Sequence, residues 1–245
     1  GETPFLIASA PNGARKTKAD LPSIPITPAE LAQEAANCKA VGAAMMHLHV
    51  RDDDQRHSID VGRYREMLTE VRASVGDDML LQVTSEAVGM YGAQDQMAMI
   101  RELVPEADIL PQFILYAPED VIRFNQLVRD GVIPGEKLPV LYALGRYTTG
   151  QVSDPKDLLP YLDASPFVSE WMLCAFGAHE NACALTAAGL GGHARIGFEN
   201  NHLLVDRSGA VDNAALIVQA REGAYLMGRT VATGDQARKI MQPQW

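Results

Sequence analysis

The sequence predicts an α/β protein whose fold class is a (β/α)8 TIM-type barrel, with one strand–helix unit contracted. Apolar, β-type runs alternate with amphipathic helical stretches along the 245 residues, and this alternation implies right-handed crossovers and a parallel sheet. An open doubly wound sheet is the rival fold, but the G-x-G-x-x-G fingerprint of its dinucleotide-binding form is absent. No linker, low-complexity stretch or repeat interrupts the pattern, so we expect one domain over residues 1–245.

The first helix has boundaries that the sequence marks at both ends. Thr27 precedes Pro28 and Glu30, and this arrangement predicts a capping box with proline at the first helical position. Leucine, alanine, cysteine and valine follow at helical spacing and predict a buried stripe. Gly42 is expected to end the helix.

The remaining elements follow in chain order from the same periodicities. Short apolar runs bounded by turn residues predict about seven strands, one fewer than a complete barrel has, at 5–9, 44–50, 79–84, 108–116, 138–144, 167–175 and 193–198. Amphipathic stretches between them predict helices at about 61–74, 94–103, 118–130, 155–163 and 178–189, with one or two more after the last strand.

Charge and cysteine content exclude several classes of partner. A net charge of −10 argues against nucleic acid and against an anionic membrane surface. The three cysteines are odd in number and lack Cys-x-x-Cys spacing, which favours a reduced, cytoplasmic setting. We find no apolar run of transmembrane length and no signal-peptide character at the start, and both observations favour the same setting.

His47 and His49 are the most informative residues of the sequence. Side chains at positions i and i+2 of a strand leave the same face, so both imidazoles are expected to point to one place. With Arg51 and Asp52 at the end of the same strand, the pair suggests a divalent-metal site. The alternative is that one histidine is a hydrogen-bonded core residue and the other is incidental.

Other candidate residues lie at the ends of predicted strands, where barrel enzymes carry their active sites. Two imidazoles and one carboxylate make a common catalytic metal site, so Glu199 is a candidate third ligand, the alternative being a solvated loop acid. Arg195 on an apolar strand needs a nearby anion, either a protein carboxylate or a substrate. Thr84 and Ser85 can donate hydrogen bonds to an oxyanion, although hydroxyls at strand ends also cap turns.

The other histidines are weaker candidates. Three of them lie near predicted helix or loop boundaries, where surface histidines are common: His179, His193 and His202. His57 lies in the polar loop 52–57 and is expected to be exposed to solvent.

Taken together, several stretches of the chain resemble the β-keto acid cleavage enzyme family. The likeness is strongest at 25–52 and 189–238, and it rests on 25–30, 47–52, 82–85, 192–201, 213–216, 228–233 and 236–238. The resemblance implies a zinc-dependent (β/α)8 barrel, usually oligomeric. It implies a reaction in which a β-keto acid and acetyl-CoA give acetoacetate and a new acyl-CoA.

The resemblance also implies a role for each matching residue. His47, His49 and Glu199 would bind Zn2+ or another divalent metal, and acetyl-CoA would be the co-substrate. Arg195 would orient the substrate and stabilise charge. Thr84 and Ser85 would contact the substrate carboxylate or the developing oxyanion. The partners are then small molecules and further copies of the chain in a homo-oligomer.

The sequence departs from the family pattern in four places. Asn200 stands where the family has an aspartate that serves as general base, and an amide cannot take a proton at neutral pH. Glu86 stands where relatives carry a Gly-Gly pair, so it is our candidate for the replacement base. The middle of the chain, about 104–145, is shorter than in relatives by roughly one strand–helix unit.

Arg15 is the fourth departure, because the family member that acts on an amino substrate has an acidic residue there. If Arg15 reaches the mouth of the barrel, it favours a substrate whose far end is neutral or anionic. With Lys16 and Lys18 it is also placed to attract the phosphates of CoA. The alternative is an exposed loop cation.

The leading interpretation is therefore an acetyl-CoA-dependent β-keto acid cleavage enzyme. Two alternatives remain open. A metal-dependent hydrolase on the same barrel would usually add further strand-end histidines and an aspartate on the last strand. A catalytically weakened relative would bind metal and ligand without turnover, and Asn200 and the shortened middle favour that alternative.

Overall fold

The computed structural model describes residues 3–85, 92–103, 112–136, 138–165 and 170–242. Its strands are β1 Ile7–Ser9, β2 Met45–Leu48, β3 Val50–Arg51, β4 His57–Ser58, β5 Leu80–Val83, β6 Phe113–Leu115, β7 Val140–Leu144, β8 Trp171–Ala175 and β9 His193–Ile196. Its helices are α1 Pro28–Ala40, α2 Val61–Val75, α3 Ala93–Leu103, α4 Pro118–Arg129, α5 Leu159–Asp163, α6 Glu180–Gly189, α7 Asn213–Leu226 and α8 Gly234–Met241, with a 3-10 turn at Pro155–Leu158. Among these described helices, none has both the length and the hydrophobicity needed to cross a bilayer.

Seven strands form one parallel sheet in the order β5-β2-β1-β9-β8-β7-β6. Helices alternate with these strands, as the sequence pattern predicts. The sheet curls, and a hydrogen bond from Gln82 Nε2 to Gln112 Oε1 (3.0 Å) connects its two edge strands, β5 and β6. The fold is therefore a (β/α)8-type barrel contracted by one strand, which confirms the predicted fold class.

Apolar side chains fill the barrel and separate the sheet from its helices. Leu6, Met45, Leu141 and Met172 pack inside, and α8 adds Ala237, Ile240 and Met241 to the same cluster. Because Gly234 at the start of α8 lies against Asp78, just before β5, this helix covers the N-terminal ends of the strands. The C-terminal ends are left open for a site.

The first helix begins as predicted. The Thr27 side chain accepts a hydrogen bond from the Glu30 backbone N–H, and the Glu30 carboxylate accepts one from the Thr27 N–H. This confirms the capping box and places α1 within a residue or two of its predicted limits. Two helices, α7 and α8, follow the last strand.

Several predicted strands are shorter in the structure. The predicted strand 44–50 divides into β2 and β3, with His49 between them, because the chain turns away from the barrel to pair Arg51 with His57 in an antiparallel hairpin. Only the later parts of 108–116 and 167–175 are strands, and their earlier parts, 108–111 and 167–169, lie outside the described residues.

Candidate metal and substrate site

A cavity of about 230 Å³ opens at the C-terminal end of the barrel. The loop after β1 forms one wall, and the ends of β2, β5, β6, β7, β8 and β9 form the floor and the other walls. The residues that line it are Asn12, Gly13, Ala14, Arg15, Lys16, His47, His49, Thr84, Ile114, Tyr116, Ala143, Arg146, Gln151, Cys174, Phe176, Arg195, Glu199 and Asn200. Most of the predicted site residues thus share one concave surface.

His47, His49 and Glu199 meet on the floor of this cavity. One ligand atom from each lies within 4.8 Å of the others, and His49 Nε2 lies 3.0 Å from Glu199 Oε1. Despite this proximity, His49 Nε2 is a buried atom that makes no hydrogen bond to any described residue. The two imidazoles and the carboxylate form a donor set that fits a divalent metal. A metal bound there would also satisfy the buried Nε2 of His49.

The local backbone explains how Glu199 reaches the histidines. Gly197 has φ +155°, and its backbone passes so close to Ala10 that a Cβ would lie 2.2 Å from the Ala10 carbonyl oxygen. The Glu199 backbone N–H then donates to that same oxygen (3.1 Å). This turn directs the Glu199 side chain from the end of β9 toward β2.

Each histidine of the cluster has a second contact through its Nδ1 atom. His47 Nδ1 lies 2.6 Å from Gln82 Oε1, and His49 Nδ1 lies 3.0 Å from His57 Nε2. Burial lowers the pKa of both His47 and His57 to about 3, so both rings are neutral at pH 7. A neutral imidazole is the form that binds metal.

The expectation that His57 is exposed is wrong. The antiparallel pairing of Arg51 with His57 returns the polar loop to the barrel, and the His57 ring is buried against His49. Loop polarity indicates the exposed turn residues correctly, but it does not reveal that the last residue of the loop pairs with a distant strand.

Arg195 is buried beside the cluster, with Nη2 3.0 Å from Glu199 Oε2. Burial alone would lower the pKa of Arg195, but the Glu199 carboxylate raises it. Burial would likewise raise the pKa of Glu199, but Arg195 and then His49 hold it well below its usual value. Arg195 Nε and Nη1 make no hydrogen bond to described residues, so the guanidinium has donors available for an anion.

The remaining predicted residues occupy different positions. Thr84 is buried and lines the cavity, whereas Ser85 is half-buried and does not belong to the described lining. Glu86 lies outside the described residues. Asn200 is buried and lines the cavity, and neither its side-chain nitrogen nor its oxygen has a partner among described residues. Arg15 lines the mouth and is exposed.

Two further lining residues were not identified from the sequence. Arg146 follows β7, and its guanidinium carbon lies 5.3 Å from the Tyr147 ring centroid and 5.8 Å from that of Phe176. Asn12 donates from Nδ2 to the His49 carbonyl oxygen (3.0 Å), which fixes the backbone just after β2. Both follow strands in sequence, and systematic inspection of every strand end would have found them.

The weaker histidines lie apart from the cluster. The expectation that His193 is a surface residue is wrong: it is buried at the start of β9, and its Nδ1 accepts a hydrogen bond from the Leu6 backbone N–H (3.0 Å). His202 and His179 are exposed, as expected, and His179 Nδ1 lies 2.8 Å from the Ser153 carbonyl oxygen.

Comparison with known proteins gives a consistent result. The model of the family described as beta-keto acid cleavage enzyme matches residues 4–110 and 102–242. The 3-keto-5-aminohexanoate cleavage enzyme of Fusobacterium nucleatum subsp. nucleatum is 29% identical, with 97% of each chain covered. A 3-oxoadipate:acetyl-CoA acetyltransferase of Cupriavidus necator is 24% identical, covering 97% of this chain and 94% of its own.

A solved structure and the alignments also bear on the fold. A ternary complex of ObcA with a C4-CoA adduct and oxalate superposes with a TM-score of 0.70 at 16% identity, covering 90% of this chain and 67% of that one. The alignment with the Fusobacterium enzyme spans 266 positions, more than the 245 residues of this chain, so the relative has residues that this chain lacks. The two matches to the family model overlap at 102–110, between β5 and β6, and the described residues of that interval add no strand to the sheet.

Proposed function

The chain belongs to the β-keto acid cleavage enzyme family, and from this membership we propose that it converts a β-keto acid and acetyl-CoA into acetoacetate and a new acyl-CoA. The observation that carries the proposal is the buried group of His47, His49 and Glu199 with the available donors of Arg195 beside it. Such a site combines metal ligands with a cation that can hold an anionic substrate. Relatives named for acetyl-CoA-dependent transfer support the choice of co-substrate.

His47, His49 and Glu199 would hold a divalent metal, which we propose is zinc. The unsatisfied Nε2 of buried His49 and the neutral state of His47 fit this assignment. When bound, the metal supplies Lewis acidity, which lowers the free energy of an enolate formed from the keto acid.

Arg195 would bind one carboxylate oxygen of the keto acid through Nη1, a buried donor without a partner among the described residues. The ion pair between Nη2 and Glu199 holds the planar guanidinium in place, so this contact also orients C2 of the substrate. Thr84 and Asn200 line the same cavity and would donate hydrogen bonds to oxygens that become negative during the reaction. Ser85 would assist from the edge of the cavity.

The reaction needs a base for the C2 proton, and we propose Glu86, which follows Ser85 directly in the chain. Asn200 cannot serve, because an amide does not accept a proton at neutral pH. Glu86→Gln keeps the shape and removes the base, so we expect kcat to fall while metal remains bound. Full turnover by that variant would exclude Glu86.

The bond changes then balance without a further reactant. Loss of the C2 proton to the base gives an enolate, whose C2 bonds to the acetyl carbonyl carbon as the CoA thiolate leaves. The thiolate attacks the C3 carbonyl of the adduct, and the C2–C3 bond breaks. The product carbanion recovers a proton at C2 and becomes acetoacetate, while the C3 acyl group leaves as the new thioester.

The charge of the mouth supports anionic ligands. Glu199 is the carboxylate of the described lining, whereas Arg15, Lys16, Arg146 and Arg195 are cations. We propose that Arg15, Lys16 and Arg146 attract the phosphates of CoA and favour a keto acid whose far end is neutral or anionic.

The test is an assay of the zinc-loaded chain with acetyl-CoA and β-keto acids whose far ends are cationic, neutral or anionic. We expect acetoacetate, followed by mass, from neutral or anionic substrates, and none from His49→Ala. Acetate released from acetyl-CoA instead would indicate the hydrolase alternative. Thermal stabilisation by substrate without product would indicate a relative that binds without turnover.

Three further expectations belong to this proposal. We propose that residues 1–245 form one barrel domain, that the protein acts in the cytoplasm and that it assembles as a homo-oligomer. The burial of all three cysteines as free thiols is consistent with a reduced setting.

A further inference from the structure

The barrel has a seam, by which we mean the place where the two edge strands of its sheet face each other without backbone pairing. β5 and β6 are the two edge strands, and no strand lies between them in the described part of residues 84–112. A hydrogen bond between two side-chain amides, Gln82 and Gln112, joins the edges at the level of the cavity floor. Both side chains are partly buried, so this contact replaces solvent at the seam.

The same bridge reaches one of the metal-ligand histidines. Gln82 is the residue of β5 that pairs with His47 of β2 in the parallel register. Its Oε1 lies 2.6 Å from His47 Nδ1, while its Nε2 lies 3.0 Å from Gln112 Oε1. His47, Gln82 and Gln112 therefore form a continuous chain of hydrogen bonds from the cluster to the seam.

The end of this chain fixes the direction of every bond in it. Gln112 Nε2 lies 3.8 Å from the Met172 sulfur, and a thioether accepts hydrogen bonds but has none to donate. The amide nitrogen of Gln112 therefore faces the sulfur, and its oxygen faces Gln82. Gln82 must then donate through nitrogen to Gln112, and its oxygen is left to accept from His47.

This polarity selects one tautomer of His47. A proton on Nδ1, donated to Gln82, leaves the lone pair on Nε2, the nitrogen that is not engaged by the bridge. We propose that the Gln82–Gln112 bridge is a positioning device, which holds His47 with Nε2 ready to bind metal while it closes the seam of the contracted barrel. The inference rests on the metal-binding role of His47 in the proposed function. Partners of this kind set the orientation and basicity of ligand histidines in other metal sites.

Two measurements on the whole chain test the proposal without turnover. The first is zinc affinity, by competition with a chromophoric chelator, for the natural chain, Gln82→Leu, Gln82→Glu and Gln112→Leu. The second is the tautomer of His47 in the metal-free protein, read from long-range 1H–15N NMR correlations. Gln33→Leu removes an exposed glutamine from α1 and is the matched control.

We expect Gln82→Leu to weaken zinc binding by about 10- to 100-fold and to leave His47 as a mixture of tautomers. Gln82→Glu keeps the acceptor and should retain the natural affinity, whereas Gln112→Leu frees the Gln82 amide to flip and should weaken binding several-fold. Gln33→Leu should change neither reading.

The proposal is overturned if Gln82→Leu binds zinc with the affinity of the natural chain and His47 keeps its Nδ1–H tautomer. If Gln82→Leu does not fold, Gln112→Leu provides the test instead. Natural zinc affinity together with the Nδ1–H tautomer of His47 in that variant would also overturn the proposal. Neither reading uses acetyl-CoA. If the protein does not catalyse the proposed reaction but Gln82→Leu still weakens zinc binding, the positioning role of the bridge is retained. Only the proposed reaction is then rejected.

Discussion

Arg195 contributes more to the site than its ion pair. Two of its donors are buried without partners among the described residues, and leaving such groups unsatisfied is unfavourable unless a ligand completes them. Its contact with Glu199 explains why both groups stay charged in a buried setting. A structural salt bridge alone would need only one of the nitrogens.

We therefore expect Arg195→Lys to lower kcat/KM by about 10²-fold, because a lysine keeps the charge but lacks the planar set of donors that can contact Glu199 and the substrate carboxylate at once. Steady-state kinetics with the preferred keto acid measures this effect. The control is Arg63→Lys, at a partly exposed surface ion pair with Asp53, which should change neither constant by more than twofold. Natural kinetics in Arg195→Lys would contradict the substrate role.

His193 lies at the end of the barrel opposite the cavity, and it makes the stability of the fold depend on pH. Burial lowers its pKa below the ordinary value of 6.5, and its Nδ1 must be unprotonated to accept from the Leu6 N–H. The unfolded chain then binds more protons than the folded chain as pH falls below about 6.5. The stability that neutral His193 contributes is present above this pH and is lost progressively below it.

His193→Asn should reduce this loss, because its amide oxygen can accept from the Leu6 N–H without titrating. The measurement is the free energy of unfolding in urea at pH 5 and pH 7, with a chelator present, for both chains. We expect the gap between the two pH values to be smaller in the variant. An equal gap would show that His193 does not contribute to acid sensitivity.

The loop after β1 restricts the position of Glu199 in the metal-ligand cluster, because it places Gly13 against that side chain. Gly13 has φ +61°, and a Cβ there would lie 2.6 Å from the Glu199 Cγ. Any side chain at this position would therefore displace the carboxylate. Gly76, at the end of α2, has φ +62°, and no atom of the described part of the chain lies within 4 Å of an added Cβ.

These two glycines make a matched pair. Gly13→Ala and Gly76→Ala should each lose about 1–3 kcal/mol of stability, because both positions have a positive φ that an L side chain rarely adopts. Only Gly13→Ala should also weaken metal binding, because only it moves Glu199. Thermal unfolding and chelator competition separate the two effects, and equal zinc affinity in both variants would be evidence against the Glu199 ligand role.

The sequence predicts some elements of this site well and others poorly. Periodicity and strand ends bring His47, Arg195 and Glu199 to one mouth, because parallel strands place their carboxyl ends together. The position of His57 was predicted incorrectly, since it depends on pairing with Arg51 across a hairpin. The Gln82–Gln112 bridge was not predicted at all, because a contact between two side chains 30 residues apart leaves no local pattern in the sequence.

At the scale of the whole molecule, a net charge of −10 coexists with a cationic mouth. Such an arrangement focuses anions on the site while the rest of the surface repels them. We expect kcat/KM for acetyl-CoA to fall as ionic strength rises from 0.01 M to 1 M, as the Debye length falls from about 30 to 3 Å.

Arg146→Gln should flatten this salt dependence, because it removes a cation from the mouth. The comparison variant is Arg72→Gln, at the end of α2 and away from the cavity, which should preserve the natural slope. Equal slopes in all three chains would mean that Arg146 takes no part in attracting acetyl-CoA.

The most direct test of the account is the fate of the acetyl group. The zinc-loaded chain is given acetyl-CoA with both acetyl carbons labelled with 13C and an unlabelled β-keto acid, and the products are separated by mass spectrometry. We expect the two labelled carbons to appear together as C3 and C4 of acetoacetate, while the new acyl-CoA carries no label. Label recovered as acetate, or in the new acyl-CoA, would contradict it.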